Sequence, residues 1–158
     1  MNIKKNSYWL VVRIVIALSL VVVSLVGCKK GEDSSSVGVI SDVKIATAVD
    51  NDGRPLQPTS VFPIDADGFY CSFKLSHFPP GTKIKAELVY VGGEAEEEVG
   101  ENNLFGVQAG TIEREGVGYT SIGFQRSSMP DNTWPKGDYK VVLYVDDEEE
   151  ASVFFKVE

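Results

Sequence analysis

The chain has little of the side-chain chemistry that most enzymes and metal sites require. It holds one histidine and two cysteines in 158 residues. With His77 as the only histidine, a histidine-rich metal site is excluded, and any nucleophile–His–acid arrangement would have to use that residue. No Cys-x-x-Cys, Gly-x-Ser-x-Gly elbow, phosphate loop or dinucleotide-binding glycine fingerprint is present. Positive charge is also scarce. The chain has 15 Lys and Arg against 23 Asp and Glu, and Lys4, Lys5 and Arg13 precede Cys28. From Cys28 onward the balance is therefore 12 against 23, a formal charge of −11. A surface of that sign argues against nucleic acid as a partner and against an electrostatic grip on anionic lipid. Its plain consequence is solubility.

The long apolar run of a membrane span is missing too. Residues 1–13 are a positive segment, and Ile14 to Val26 then runs for 13 residues with only Ser19 and Ser24 polar. That is the length of a signal-peptide core and too short for a spanning helix. An uncleaved helix would also place Arg13 inside the span, at a high cost. The run ends in Leu25-Val26-Gly27-Cys28. This stretch resembles the lipobox of bacterial lipoproteins, in which an apolar residue, a small or apolar residue and Gly or Ala precede the cysteine. The resemblance implies that Cys28 takes a diacylglycerol, that the leader is cut before it, and that the new amine is acylated. Two or three acyl chains anchor stably, at about 0.8 kcal/mol per buried CH₂. Lys29 rather than Asp follows the cysteine. By the same resemblance, this directs the protein to the outer membrane if the cell has two membranes.

Three segments are thus expected: a cleaved leader (1–27), a lipidated tether (28–36) and a folded domain (37–158). Lys29 to Ser36 has no apolar side chain to bury and reads as a spacer. The domain has roughly 120 residues, enough to bury about two-thirds of its unfolded surface without disulfides or metals. If Cys28 is lipidated, Cys71 is alone; it lies in an alternating apolar run and reads as a buried small hydrophobe.

From Val37 on, period-2 alternation recurs between Gly, Pro, Asp and Asn clusters, and helical periodicity is absent beyond about two turns. Strands are predicted at Val43–Val49, Phe69–Ser76, Ile84–Tyr90, Tyr119–Gln125 (Ile122 and Phe124 inward), Tyr139–Val145 and Val153–Val157. The last two form a hairpin. Gly92–Gly118 is expected to hold one or two short edge strands, protected by the acids of Glu94–Glu101. About seven short strands predict an antiparallel β-sandwich.

Pro135-Lys136-Gly137-Asp138-Tyr139 before an alternating strand resembles the approach to the sixth strand of fibronectin type III and immunoglobulin-like domains. There a Pro-Gly turn precedes a tyrosine whose hydroxyl bonds back to the chain. Pro79-Pro80-Gly81-Thr82 is similar to turns of extracellular bacterial domains of this class. The chain lacks the paired cysteines of immunoglobulin domains and has Phe69 and Phe73 where fibronectin type III places a tryptophan.

Candidate chemistry is thin. Asp50, Asp52, Gly53 and Asp65, Asp67, Gly68 repeat an Asp-x-Asp-Gly pattern used by calcium loops, but the first acid and the terminal glutamate are missing from both. Asp-Gly is equally a turn signal. Trp134, Tyr70, Tyr119 and Tyr144 are candidates for an exposed aromatic patch contacting peptide or glycan. Trp134 fits equally well as a cap on the core. The acidic runs at Glu94–Glu101 and Asp146–Glu150 read as solvated loops.

The expected function is a non-catalytic, membrane-anchored binding or assembly module that engages an envelope protein or glycan through loops or an open sheet edge, with no cofactor beyond the acyl chains on Cys28. The alternatives are an envelope hydrolase or metal-dependent enzyme using His77, and a calcium-stabilised spacer. Cys28→Ser should release the protein from the membrane fraction and remove the mass of the acyl chains; an unchanged mass and unchanged partitioning would refute lipidation.

Overall fold

The computed structural model describes residues 38–158. The leader, Cys28 and the tether lie outside the described residues. Among the described residues, no helix is long and apolar enough to cross a membrane.

Eight strands are described: β1 (Val39–Ala46), β2 (Val61–Phe62), β3 (Gly68–Ser76), β4 (Lys83–Gly92), β5 (Asn103–Thr111), β6 (Val117–Gln125), β7 (Gly137–Val145) and β8 (Glu148–Val157). A one-turn helix, α1 (Glu96–Val99), precedes β5. One sheet has the order β1-β3-β6 and the other β2-β8-β7-β4-β5. Every pairing is antiparallel except that of β2 with β8. The domain is an immunoglobulin-like β-sandwich.

The alternation explains the core. Inward positions of β3 (Phe69, Cys71, Phe73), β4 (Ile84, Ala86, Leu88, Tyr90) and β7 (Tyr139, Val141, Leu143) are all buried. Phe69 is the hub, with its ring centroid 4.5 Å from Phe155, 4.9 Å from Trp134, 5.5 Å from Phe62 and 5.6 Å from Phe124. Offset and edge-on aromatic pairs of this kind add about 0.5–1.5 kcal/mol each beyond area burial.

The turn before β7 is held from three sides. The Tyr139 hydroxyl donates to the Pro135 carbonyl at 2.6 Å, and the Tyr90 hydroxyl donates to the Lys136 carbonyl at 3.1 Å. Gly137 completes the turn, since a Cβ there would lie 2.5 Å from the Gly92 carbonyl oxygen. The backward bond expected of Tyr139 is therefore present. Desolvation, and secondarily the nearby Tyr90, raises the Tyr139 phenol well above the ordinary tyrosine range, so it stays a donor.

Three expectations need correction. The first strand begins earlier, at Val39, and ends at Ala46. A bulge with Asp42 at φ 51° shifts its register between Ser41 and Lys44, so the inward set changes phase. The chain then leaves the sheet in a hairpin-like excursion closed by the bridges Ala46↔Pro58 and Val49↔Pro55. Its tip, Gly53, presses on the Thr120 backbone and accepts a 2.7 Å bond from the buried Ser72 hydroxyl. Third, the acids of Glu94–Glu101 do not guard an edge strand. They form the β4–β5 connection and α1, and β5 begins after them.

Tyr139→Phe should cost about 1–3 kcal/mol, because the Pro135 carbonyl loses its partner. The urea midpoint should fall with an unchanged slope.

Candidate functional site

The sandwich is open along one flank. β5 and β6 are the outer strands of their sheets on that side, each hydrogen-bonded to a neighbour on one side only. Between them lies a cleft of about 370 Å³. Its floor is Phe73, Ile84 and Ile122, and its walls include Ala109, Gly110 and Thr111 of β5 and Ser121 and Gly123 of β6. The register explains why it is open. Gln108 pairs with Ala86 and Gly110 with Ile84, so these positions of β5 face inward, where a sandwich needs bulk. Phe105 fills its share, packing 5.9 Å from Tyr139. Beyond it come Gly106, Gln108 and Gly110, and a Cβ added at Gly110 would meet nothing within 4 Å.

The two edges are also undefended. β5 (NLFGVQAGT) and β6 (VGYTSIGFQ) contain no charged residue and no proline, in a chain that is 24% charged. Edge strands are ordinarily blunted by lysine, proline or inward charge, because their free N–H and C=O groups template pairing with another chain. Small wall residues leave those groups within reach of an incoming backbone. Sequence reasoning missed this site. Its signal, two nine-residue runs without charge or proline, was readable, but the glycines hide the alternation.

The residues singled out beforehand do not assemble into one site. Trp134 is 1% exposed, and its indole N–H donates to the Ala66 carbonyl at 2.9 Å. It therefore caps the core and is no part of an exposed patch, because the β2–β3 loop supplies the partner that lets its polar atom be buried. Tyr70 and Tyr119 share the outer face of the three-stranded sheet, where Tyr70 covers Gly123 and Arg54 sits 5.7 Å from the Tyr119 ring centroid. Tyr119 donates to Asp42; the Lys44 ammonium, then this hydroxyl, hold the exposed Asp42 carboxyl below its usual range. Tyr144 lies on the opposite sheet with Lys85 Nζ 4.1 Å from its ring centroid.

Two of the four aspartates are already committed to partners. Asp50 Oδ1 accepts the Asp52 and Arg54 N–H groups, each at 2.9 Å, and Asp67 pairs with Arg126 at 3.0 Å. Asp52 and Asp65 are exposed. Among the described residues, no group of three His, Cys, Asp or Glu is placed to hold a metal. His77 follows β3 at φ 58°, with its ring exposed and Nδ1 3.8 Å from Glu115. No hydrogen bond joins its ring to a serine, threonine or cysteine among the described residues. Cys71 is fully buried, and desolvation pushes its thiol up from 9.0 to about 12.

No protein-family model and no curated protein matches the chain. Among solved structures, it is similar to an alkylpurine DNA glycosylase from Pseudomonas fluorescens bound to DNA, at 14% identity and TM-score 0.53 over 77% of this chain and 30% of that one. It also aligns with a β-glucosidase from Kluyveromyces marxianus, at 14% identity and TM-score 0.45, covering 77% of this chain and 14% of the enzyme. An immunoglobulin-like protein from Pseudomonas aeruginosa aligns at 11% identity and TM-score 0.48, covering 79% of this chain and 99% of that protein. The chain spans less than a third of the glycosylase and of the glucosidase. At such identities the likeness concerns fold alone.

Stability should fall as pH rises above 9. The unfolded Cys71 thiol ionises there while the folded one keeps its proton to about 12. The loss from this group is up to about 1.4 kcal/mol per pH unit. Urea titrations from pH 8 upward should show a steeper decline for the wild type than for Cys71→Ala.

Proposed function

We propose that the chain is a lipid-anchored lipoprotein of a bacterial cell envelope, and that its immunoglobulin-like domain is a non-catalytic binding or assembly module. On this reading Cys28 carries the acyl chains, residues 28–36 space the domain from the bilayer, and the open flank between β5 and β6 takes an extended segment of an envelope protein. The observation that supports it is the pairing of two uncharged, proline-free strand edges across an apolar-floored cleft. Free backbone edges recognise backbone, so the favoured occupant is a polypeptide strand rather than a glycan. A side chain of that strand would enter the space that Gly110 leaves empty, and its amides would pair with one or both edges. The reading asks for no chemistry from His77 or the aspartates.

A photo-crosslinking residue at Ser121 should give a protein adduct in intact cells, whereas one at Lys44, on β1 at the opposite edge of the same sheet, should not. Gly110→Val fills the cleft in extended backbone; it should raise stability by about 0.5–1 kcal/mol and abolish the Ser121 adduct. Equal labelling at Ser121 and Lys44, or an adduct unaffected by Gly110→Val, would refute the edge as the site.

A further inference from the structure

The outer face of the five-stranded sheet carries a second unassigned surface, on the opposite side of β5 from the cleft. Pairing places Phe154, Lys140, Val89 and Leu104 side by side in one row across β8, β7, β4 and β5. The next row is Ser152, Val142, Glu87 and Val107. Val61 of β2 stands beside Lys156 at the margin. Eight large apolar side chains are exposed among the described residues, and four of them are on this face: Phe154 at 62%, Leu104 at 49%, Val107 at 47% and Val61 at 44%. A solvated sheet face normally alternates to polar residues, so an apolar band here calls for a cover.

We infer that this face pairs with the same face of a second copy of the chain. Charge identifies the occupant. The chain from Cys28 onward carries −11, so two copies meeting at random would repel. This face is close to balance, with Lys83, Lys85, Lys140 and Lys156 against Glu87, Asp138 and Glu149. Lys85 is tied to Glu87 at 3.0 Å, whereas Lys140, in the middle of the apolar row, makes no ion pair among the described residues. Two such faces meet with little net repulsion and each offers the other a cation and an acid. Size agrees as well. Four strands about 4.8 Å apart and about nine residues long cover roughly 590 Å². A specific interface needs about 500 Å² from each partner. Identical patches meeting about a two-fold axis form a closed dimer rather than a filament. The inference is independent of the cleft, which faces the other way.

The test is light scattering of the full-length chain in detergent micelles, corrected for bound detergent, at about 100 µM protein. The wild type should be a dimer. Phe154→Asp with Leu104→Asp should weaken dimerisation at least about 100-fold while the circular dichroism spectrum is retained. Gly110→Val, which alters only the cleft, should remain dimeric. If the double variant loses its fold, the single Phe154→Ser change at this highly exposed position is read in its place and should also dissociate the dimer. A monomeric wild type, or a dimer unaffected by the face variants, would overturn the proposal.

Discussion

Two phenol hydroxyls fix the geometry on which the sandwich depends. Tyr139 and Tyr90 lie on adjacent strands at the middle of the larger sheet, with rings edge-on at 5.2 Å, and each donates to a carbonyl of the turn that leads into β7. The chain has just crossed over from β6 in the other sheet, so this turn sets where β7 enters and in what register. Hydroxyl donors whose ionisation is disfavoured by burial hold such a bond over the whole accessible pH range. Trp134, immediately upstream, is seated by the same turn and in turn holds Ala66 of the β2–β3 loop. One end of the molecule is thereby closed by aromatic packing and backbone bonds. The flank at β5 and β6 has no equivalent, because the inward positions of β5 there are glycine and glutamine.

That asymmetry is also why some of the fold was legible and some was not. Alternation reports burial, and it succeeded where both faces of a strand have a clear fate. β3, β4 and β7 match the alternation to within two residues, β8 begins five residues earlier than its apolar alternation, and the Pro-Gly-Tyr turn foretells the bond that Tyr139 makes. Alternation failed where the side chain is missing or the phase slips. β5 reads only as a short edge strand without clear bounds, because Gly106 and Gly110 occupy inward positions and hide its nine-residue length. The β1 pattern was displaced by the bulge at Asp42, a residue whose short polar side chain tolerates positive φ. The fate of Trp134 could not be decided from the sequence, since burial needs a partner for the indole N–H, and Ala66 is 68 residues away along the chain.

The sequence leaves the candidate sites open for a related reason. Aspartates before glycine are as good at closing turns as at holding cations, and only the partners distinguish the two uses. Asp50 spends its carboxylate on two backbone N–H groups, and Asp67 spends its own on Arg126. Neither commitment is visible in the order of residues. The informative feature was instead an absence: β5 and β6 lack charge in a chain dense with acids.

Charge placement then connects the two surfaces that flank β5. Asp146 and Asp147 form the β7–β8 turn, Glu148–Glu150 open β8 rather than lying in a loop as expected, and Glu94–Glu101 occupy the β4–β5 connection, so the negative field is concentrated at these strand ends. The strand edges facing the cleft are neutral, and the outer face of the larger sheet is close to balance. Strand ends of one sign repel other copies in most orientations, which suppresses unguided pairing of edges that carry no lysine or proline of their own. Neutral or balanced patches feel that repulsion least. The cleft edges and the outer face of the larger sheet are two such places, on either side of β5. On the proposed reading, the glycine that leaves the cleft unfilled makes it a place where a partner's side chain, rather than the domain's own, completes the core.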